Sequence, residues 1–243
     1  MIEVASLTIE YGRADRMIRA VEGVDFSLEA GRSLALIGPS GCGKTSVLFA
    51  LAGLLTPGAG AVRIGGTPVS GPRRDVALIL QNAGLLPWKT VWQNANLSLV
   101  LHGDYPARDA GAILDSLGLG TVRTRYPAEL SEGMKRRVGI ARALSTSPEV
   151  MLMDEPLASL DTLTRERIQD LFLTLWRRYR FSLVLVTHDI EEAAFLGQEI
   201  IVLTERPAQI KSVVANPEMG DRRYRESEAF RRVATQLREA LQA

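Results

Sequence analysis

Gly38-Pro39-Ser40-Gly41-Cys42-Gly43-Lys44-Thr45 decides the fold, because it fits G-x-x-x-x-G-K-[ST] in the setting that pattern requires. A short apolar run, Ser33 to Ile37, precedes it, and a helical stretch from Thr45 to Ala52, closed by Gly53, follows. Glycine at 38, 41 and 43 lets the main chain approach an anion without Cβ clashes. Backbone N–H groups at the helix start then converge on phosphate oxygens. Lys44 supplies charge to the outer phosphates, and the Thr45 hydroxyl is a candidate Mg²⁺ ligand. The spacing predicts a strand, a phosphate loop and a helix around a nucleoside triphosphate. The contacts expected are Gly38, Pro39, Ser40, Gly41, Cys42, Gly43, Lys44, Thr45 and Ser46. Cys42, beside Lys44 and a helix N-terminus, is expected to react with maleimide and to be shielded by nucleotide; the alternative is a small filler packed beneath the loop.

Val76 to Leu80, Val150 to Met153 and Leu183 to Val186 are further continuous apolar runs, the pattern of parallel strands buried on both faces. Leu7 to Tyr11 and Val24 to Leu28 alternate instead, and Ala61 to Ile64 runs into the turn signal Gly65-Gly66, which predicts an antiparallel edge. Between Pro87 and Leu144 the signal is helical: Val91 to Leu101, Ala107 to Leu117 and Ser131 to Leu144. The prediction is an α/β P-loop NTPase core with a mostly parallel central sheet, an N-terminal antiparallel β subdomain and an inserted helical subdomain. Residues 1–243 form one unit, with the core in 1–85 and 148–215, the helical part in 86–147 and a helical tail in 216–243. In the tail, Phe230, Val233, Leu237 and Leu241 make an apolar stripe that packs on the core, and Arg222, Arg223 and Arg225 read as a solvated basic turn.

Ligands collect at the carboxyl ends of parallel strands, so the residues just past those runs carry the chemistry. Asp154 and Glu155 end the third run, where burial of two carboxylates is costly unless a cation relieves it. Asp154 is the expected Mg²⁺ ligand, and Glu155 the residue that orients or deprotonates a water. His188 follows the fourth run and is assigned to the γ-phosphate. Gln81, after the second run, reaches the metal or the water through its amide. A second glycine-containing helix start, Leu130-Ser131-Glu132-Gly133-Met134, has Ser131 as N-cap and first-turn N–H groups that form an anion site aimed outward. One phosphate loop does not need it, so a second copy's nucleotide is its expected ligand and the chain is expected to work in pairs.

At 243 residues, with 46% hydrophobic and 23% charged residues, the chain is long enough for a substantial core. A formal net charge of +1 gives no phosphate-tracking surface, which argues against nucleic acid as a partner. No apolar stretch is long enough to cross a bilayer, and the single cysteine fits a reducing compartment, so a cytosolic chain is expected.

With these residues in hand, the chain resembles the ATP-binding subunits of ABC transporters along nearly its whole length. The ordered motifs are the aromatic A-loop at Tyr11, Walker A, the Q-loop at Gln81, the signature at Leu130 to Met134, Walker B through Asp154 and Glu155, the D-loop Ser159-Leu160-Asp161 and the switch His188. The resemblance implies that Tyr11 stacks on adenine and that Asp161 joins the nucleotide contacts. It further implies that two subunits pair head to tail as a homodimer around two ATP and Mg²⁺, each Walker A facing the other subunit's Ser131 and Gly133. Glu132 departs from the usual Gly-Gly. A carboxylate about 7 Å from phosphate costs roughly 2 kcal/mol per unit charge at an effective dielectric near 20, so Glu132 is expected to turn away.

Leu85-Leu86-Pro87-Trp88-Lys89-Thr90-Val91, with Met134, is most similar to ATPases of the nitrate, sulfonate and taurine importer group. That implies integral membrane permease subunits docked near Trp88, an external solute-binding protein, a peripheral location on the cytoplasmic face of the inner membrane, and no large C-terminal regulatory domain. An exporter or lipid-handling complex is the alternative. A chromosome or repair ATPase would carry long coiled coils, and a kinase or GTPase would leave the signature and His188 without roles.

Overall fold

The computed structural model describes residues 1–12, 17–102, 108–158 and 160–242. In chain order its elements are β1 (Ile2–Tyr11), β2 (Ile18–Leu28), β3 (Ser33–Ile37), α1 (Lys44–Leu51), β4 (Ala59–Ile64), β5 (Thr67–Pro68) and β6 (Val76–Ile79). Then come the helices α2 (Val91–Ala95), α3 (Leu97–His102), α4 (Ala110–Ser116) and α5 (Glu132–Ser145). The chain closes with β7 (Val150–Asp154), α6 (Thr162–Tyr179), β8 (Ser182–Val186), α7 (Ile190–Leu196), β9 (Glu199–Leu203), β10 (Ile210–Ala215) and α8 (Glu228–Gln242).

Two sheets form. The N-terminal one is antiparallel in the order β2-β1-β4-β5, with Ile2 opposite Leu28 on one side and Ile64 on the other. Gly65 and Gly66, both at positive φ, make the turn that joins its last two strands. The second sheet runs β10-β9-β3-β8-β7-β6, parallel throughout except for β10 at its edge. β3, β7 and β8 are buried at every residue, as their continuous apolar runs predict. Because side chains alternate across a strand, Leu34, Leu36, Leu152, Val184 and Val186 face α1 and the antiparallel sheet. Ala35, Ile37, Met151, Met153, Leu183 and Leu185 face the other way, into the cluster built with α5, α6, α7 and α8. The sheet is thus covered on both faces, and the turns at its carboxyl edge are left to carry the site.

Several sequence expectations change in detail. The predicted helix from Val91 to Leu101 is two helices with Asn96 between them, where the Trp92 carbonyl accepts from both the Asn96 backbone N–H at 3.0 Å and its side-chain amide at 3.1 Å. The helix expected from Ala107 begins at Ala110, where the Asp109 carboxylate caps it by accepting from the Gly111 N–H at 2.7 Å; Ala107 lies outside the described residues. β9 and β10 extend the sheet beyond the four expected strands. In the tail, Phe230, Val233 and Leu237 are buried as expected. The basic turn is not simply solvated. Arg225 lies 4.0 Å over the Phe195 ring and 3.3 Å from Asp170, and Arg222 lies 3.8 Å from the same carboxylate, tying the tail to α6.

Candidate functional site

Gly43 is the N-cap of α1 at φ 131°, and a Cβ there would come within 2.7 Å of the Ala20 carbonyl, so the loop closes this tightly only with glycine. Gly38 is confined by Leu203 and Cys42 in the same way. Gly41, at φ 73°, faces open space, and with Ser40 it forms the exposed lip of the loop. Lys44 is 5% exposed, and its ammonium donates to the Gly38 and Pro39 carbonyls, each at 2.8 Å. The charge is thereby held at the mouth of the loop. Tyr11 donates through its hydroxyl to Ser46 Oγ at 2.9 Å while its ring stays 43% exposed beside the loop. Cys42 is 1% exposed with Sγ 4.0 Å from Lys44 Nζ. This geometry is that of the packed filler, not of a readily alkylated thiol.

Thr45 Oγ1 donates to Asp154 Oδ1 at 3.1 Å, joining the start of α1 to the tip of β7. Burial, the largest cause, pushes the Asp154 carboxyl above its ordinary range, with the Glu155 charge adding to it, while the Thr45 bond and Lys44 pull the other way. A hard cation would relieve that cost. Among the described residues no three His, Cys, Asp or Glu side chains cluster to hold a metal. The donor set of one hydroxyl, Thr45, and one carboxylate, Asp154, is compatible with Mg²⁺, which keeps several waters and is usually bound by one or two carboxylates plus phosphate oxygens.

Glu155 adopts φ 44°, a conformation uncommon for a non-glycine residue, and its N–H donates to the Val186 carbonyl at 2.8 Å. Its Oε1 lies 3.2 Å from His188 Nδ1. Gln81, Glu155 and His188 line one cleft of about 260 Å³, together with Arg165, Thr187 and Glu192. Three residues read from three separate strand ends thus meet in one place.

Ser131 and Gly133 are not part of that cleft. Ser131 is exposed and caps α5 by accepting from the Met134 N–H at 3.3 Å. Gly133, expected to present itself outward, is buried instead. A Cβ on it would come within 2.9 Å of the Thr164 methyl, so this glycine lets α5 and α6 approach closely. Glu132 extends to Lys135 Nζ at 2.7 Å. Asp161, fully exposed, caps α6 by accepting from the Thr164 N–H at 3.0 Å, and that bond holds its carboxyl below the usual range. Ser159 lies outside the described residues.

Other contacts escape sequence reasoning. Arg142 donates to the Ala83 and Gly84 carbonyls at 2.6 and 2.7 Å, and Arg136 reaches the Leu80 and Ala158 carbonyls at 3.4 Å. A Cβ on Gly139 would sit 3.2 Å from the Ala83 Cβ. One side of α5 therefore carries the loop that follows Gln81; the only sequence signal was the spacing of 136, 139 and 142. Asn94, fully buried, bonds both polar groups of Leu86 and the carbonyls of Lys89 and Thr90, fixing the turn that presents Trp88. Arg206 donates to the Gly41 carbonyl at 2.6 Å from the far end of the chain.

The family profile described as ABC transporter matches residues 21–158. The chain belongs to the ABC transporter family. Among curated relatives, the cassette is 40% identical over 213 residues to the taurine import ATP-binding protein TauB of Yersinia pestis bv. Antiqua (strain Antiqua), covering 86% of this chain and 82% of the relative. The protein of the same name from Chromobacterium violaceum is 41% identical over 217 residues, 88% of this chain and 82% of the relative. Among solved structures, the dimeric bacterial ABC transporter cassette MJ0796 superposes with a TM-score of 0.78 at 29% identity, covering 88% of this chain and 98% of that one. A dimeric post-hydrolysis state of MJ0796 bound to ADP and Pi superposes with a TM-score of 0.77 at 27% identity, with the same coverage. Among the described residues no helix is long and apolar enough to cross a membrane.

Proposed function

We propose that the chain is the Mg²⁺-dependent, ATP-hydrolysing motor subunit of an importer for a taurine-like, sulfonate or nitrate class of solute. In this reading the whole chain is one cassette: a nucleotide-binding core in 1–85 and 148–215, a helical part in 86–147 that turns against it, and the tail of 216–243. The main chain from Gly38 to Ser46 cradles the phosphates, Lys44 neutralises the outer ones, and Tyr11 stacks on the base. Thr45 and Asp154, with Gln81, would hold Mg²⁺, which when bound would supply positive charge against the phosphate oxygens. Glu155 orients the attacking water and accepts its proton, and His188 contacts the γ-phosphate. The observation that carries the reading is the meeting of Gln81, Glu155 and His188 in one cleft, with Thr45 bonded to the neighbouring Asp154.

Ser131, capping a helix outside that cleft, serves a second copy of the chain in a head-to-tail pair, together with the Gly133 N–H, and Asp161 joins the nucleotide contacts. The exposure of Ser131 and Glu132 supports this, as do the dimeric relatives. The Glu132–Lys135 contact supports a carboxylate drawn aside and partly neutralised.

The permease surface is a groove of about 400 Å³ lined by Asn82 to Leu85, Pro87, Pro127, Ala128, Glu132, Lys135 and Arg136, with Trp88, 70% exposed, nearby. Aromatic anchors of this kind dominate protein contacts, and the groove borders the loop after Gln81. The cassette then sits peripherally on the cytoplasmic face of the inner membrane. Affinity capture of the tagged chain from membranes tests this. The expected result is an integral membrane subunit together with an external solute-binding protein; capture of an integral subunit without any such receptor would point to export instead, and capture of neither would refute the transport reading.

A further inference from the structure

Glu192, on α7, is 2% exposed and has no part in the hydrolytic roles above. Its Oε2 accepts a short hydrogen bond from the Thr187 hydroxyl, which is itself buried. Its Oε1 has no hydrogen-bond partner among the described residues, and the side chain borders the cleft that holds Gln81, Glu155 and His188. A carboxylate oxygen buried without a donor is costly, and an apolar side chain would pack there more cheaply unless the carboxylate held something in place.

What it holds is the turn carrying His188. Thr187 Oγ1, besides donating to Glu192, accepts from the Asp189 N–H at 3.0 Å. Asp189 is fixed in turn by Arg165 at 2.9 Å and by the N–H groups of Glu191 and Glu192 at 2.9 and 3.0 Å. His188 thus sits between two anchored neighbours, while its own side chain is 59% exposed and leans on Glu155. Of the two anchors, the Asp189 side is half-buried and cross-braced, whereas the Thr187 side depends on Glu192.

We propose that Glu192 is a positioning residue for hydrolysis: ionised, it grips the Thr187 hydroxyl and so holds the 187–189 turn, and with it the His188 ring, in register with Glu155. The inference rests on the reading of the chain as an ATP-hydrolysing cassette. Burial pushes the Glu192 carboxyl up to about 7; Thr187 opposes this, Asp189 adds to it, Arg165 opposes it and Glu155 adds to it. Arg136, from α5, faces the same carboxylate. The group therefore changes charge near neutral pH, and its grip strengthens on ionisation because a charge-assisted hydrogen bond is about twice as strong as a neutral one.

The test compares the native chain with Glu192→Gln, which keeps an oxygen acceptor but never ionises, and with Thr187→Val and Thr187→Ser, which remove and keep the donor. In the ligand-free protein, NMR should show the Asp189 amide proton titrating near the same pH as the Glu192 carboxyl carbon, and this titration should vanish in Glu192→Gln. With MgATP, native kcat should rise roughly three- to ten-fold from about pH 6 to about pH 8 at little-changed KM. Glu192→Gln and Thr187→Val should flatten that rise, and Thr187→Ser should restore it. A Glu192→Gln protein with the native pH profile, or with the Asp189 amide titrating as before, would overturn the proposal. Should Glu192→Gln not fold, the Thr187 pair decides: equal profiles for Val and Ser would overturn it as well. A native chain without ATP turnover would instead break the hydrolytic reading, and the amide titration would still report whether Glu192 holds the turn.

Discussion

At Glu155 backbone and side chain are both committed: the positive φ and the bond to the Val186 carbonyl turn the carboxylate out of the sheet toward His188. A residue held this way is replaced isosterically with little change in fold, so Glu155→Gln is expected to bind ATP as the native chain does. Its turnover should fall about 10²- to 10⁴-fold, the usual worth of a general base; single-turnover kinetics beside a nucleotide-binding titration separate the two effects. Glu192 has a consequence for stability as well. Its folded carboxyl, raised to about 7 from 4.5, keeps a proton that the unfolded chain has already lost. Stability from this group is full at low pH and is lost as pH rises through neutrality, by up to about 3 kcal/mol. Glu192→Gln should therefore gain on the native chain between about pH 5 and about pH 8 in denaturant unfolding, and a constant difference across that interval would contradict the assignment. Gln81, Glu155 and His188 were legible in the sequence because each follows an apolar strand run, so their place at the sheet edge is local information. Arg142 and Arg206 were not, since their contacts depend on which distant carbonyl the fold brings to them, and Glu192 was not, since its burial beside Thr187 is set by packing rather than by any local pattern. Cys42 shows the same limit: its neighbours in sequence favour reactivity, but its burial is set by Gly38 and the loop above it.

Among the elements, α5 joins two parts of the site, since it starts with the exposed Ser131 cap and carries the loop after Gln81 on Gly139 and Arg142. Whatever displaces that loop must displace the signature end with it. Arg142→Ala removes charged hydrogen bonds to two carbonyls and should lower stability by about 2–4 kcal/mol. Its kcat should fall with little change in KM, because the nucleotide loop is untouched; a raised KM at native kcat would show that the loop is not a coupling element. Ser131→Ala should cost about 1 kcal/mol as a lost cap, whereas a turnover loss well beyond the corresponding unfolding would report contact with nucleotide. The start of α5 was readable from Ser131 and the glycine that follows. The break between α2 and α3 was not, because no glycine or proline marks it in Val91 to Leu101. Neither were β9 and β10: Ile200 to Leu203 has the apolar run of a strand, but no turn rich in functional side chains follows to mark it as one.

At the scale of the molecule, the nucleotide loop and the hydrolytic cleft lie along the carboxyl edge of the parallel sheet, while the capped end of α5 is exposed elsewhere. In the proposed head-to-tail pair, the phosphate for Ser131 would come from the nucleotide of the second copy. In that proposal Gly133 would contribute only its backbone N–H, since its Cα side is occupied by Thr164. The most direct measurement is the sedimentation of Glu155→Gln with and without MgATP, repeated after adding Ser131→Glu. The expected result is a dimer that forms only with MgATP and is lost when Ser131→Glu places a negative charge at the cap. A protein that remains monomeric at saturating MgATP, or a dimer that forms equally well with Ser131→Glu, would contradict it.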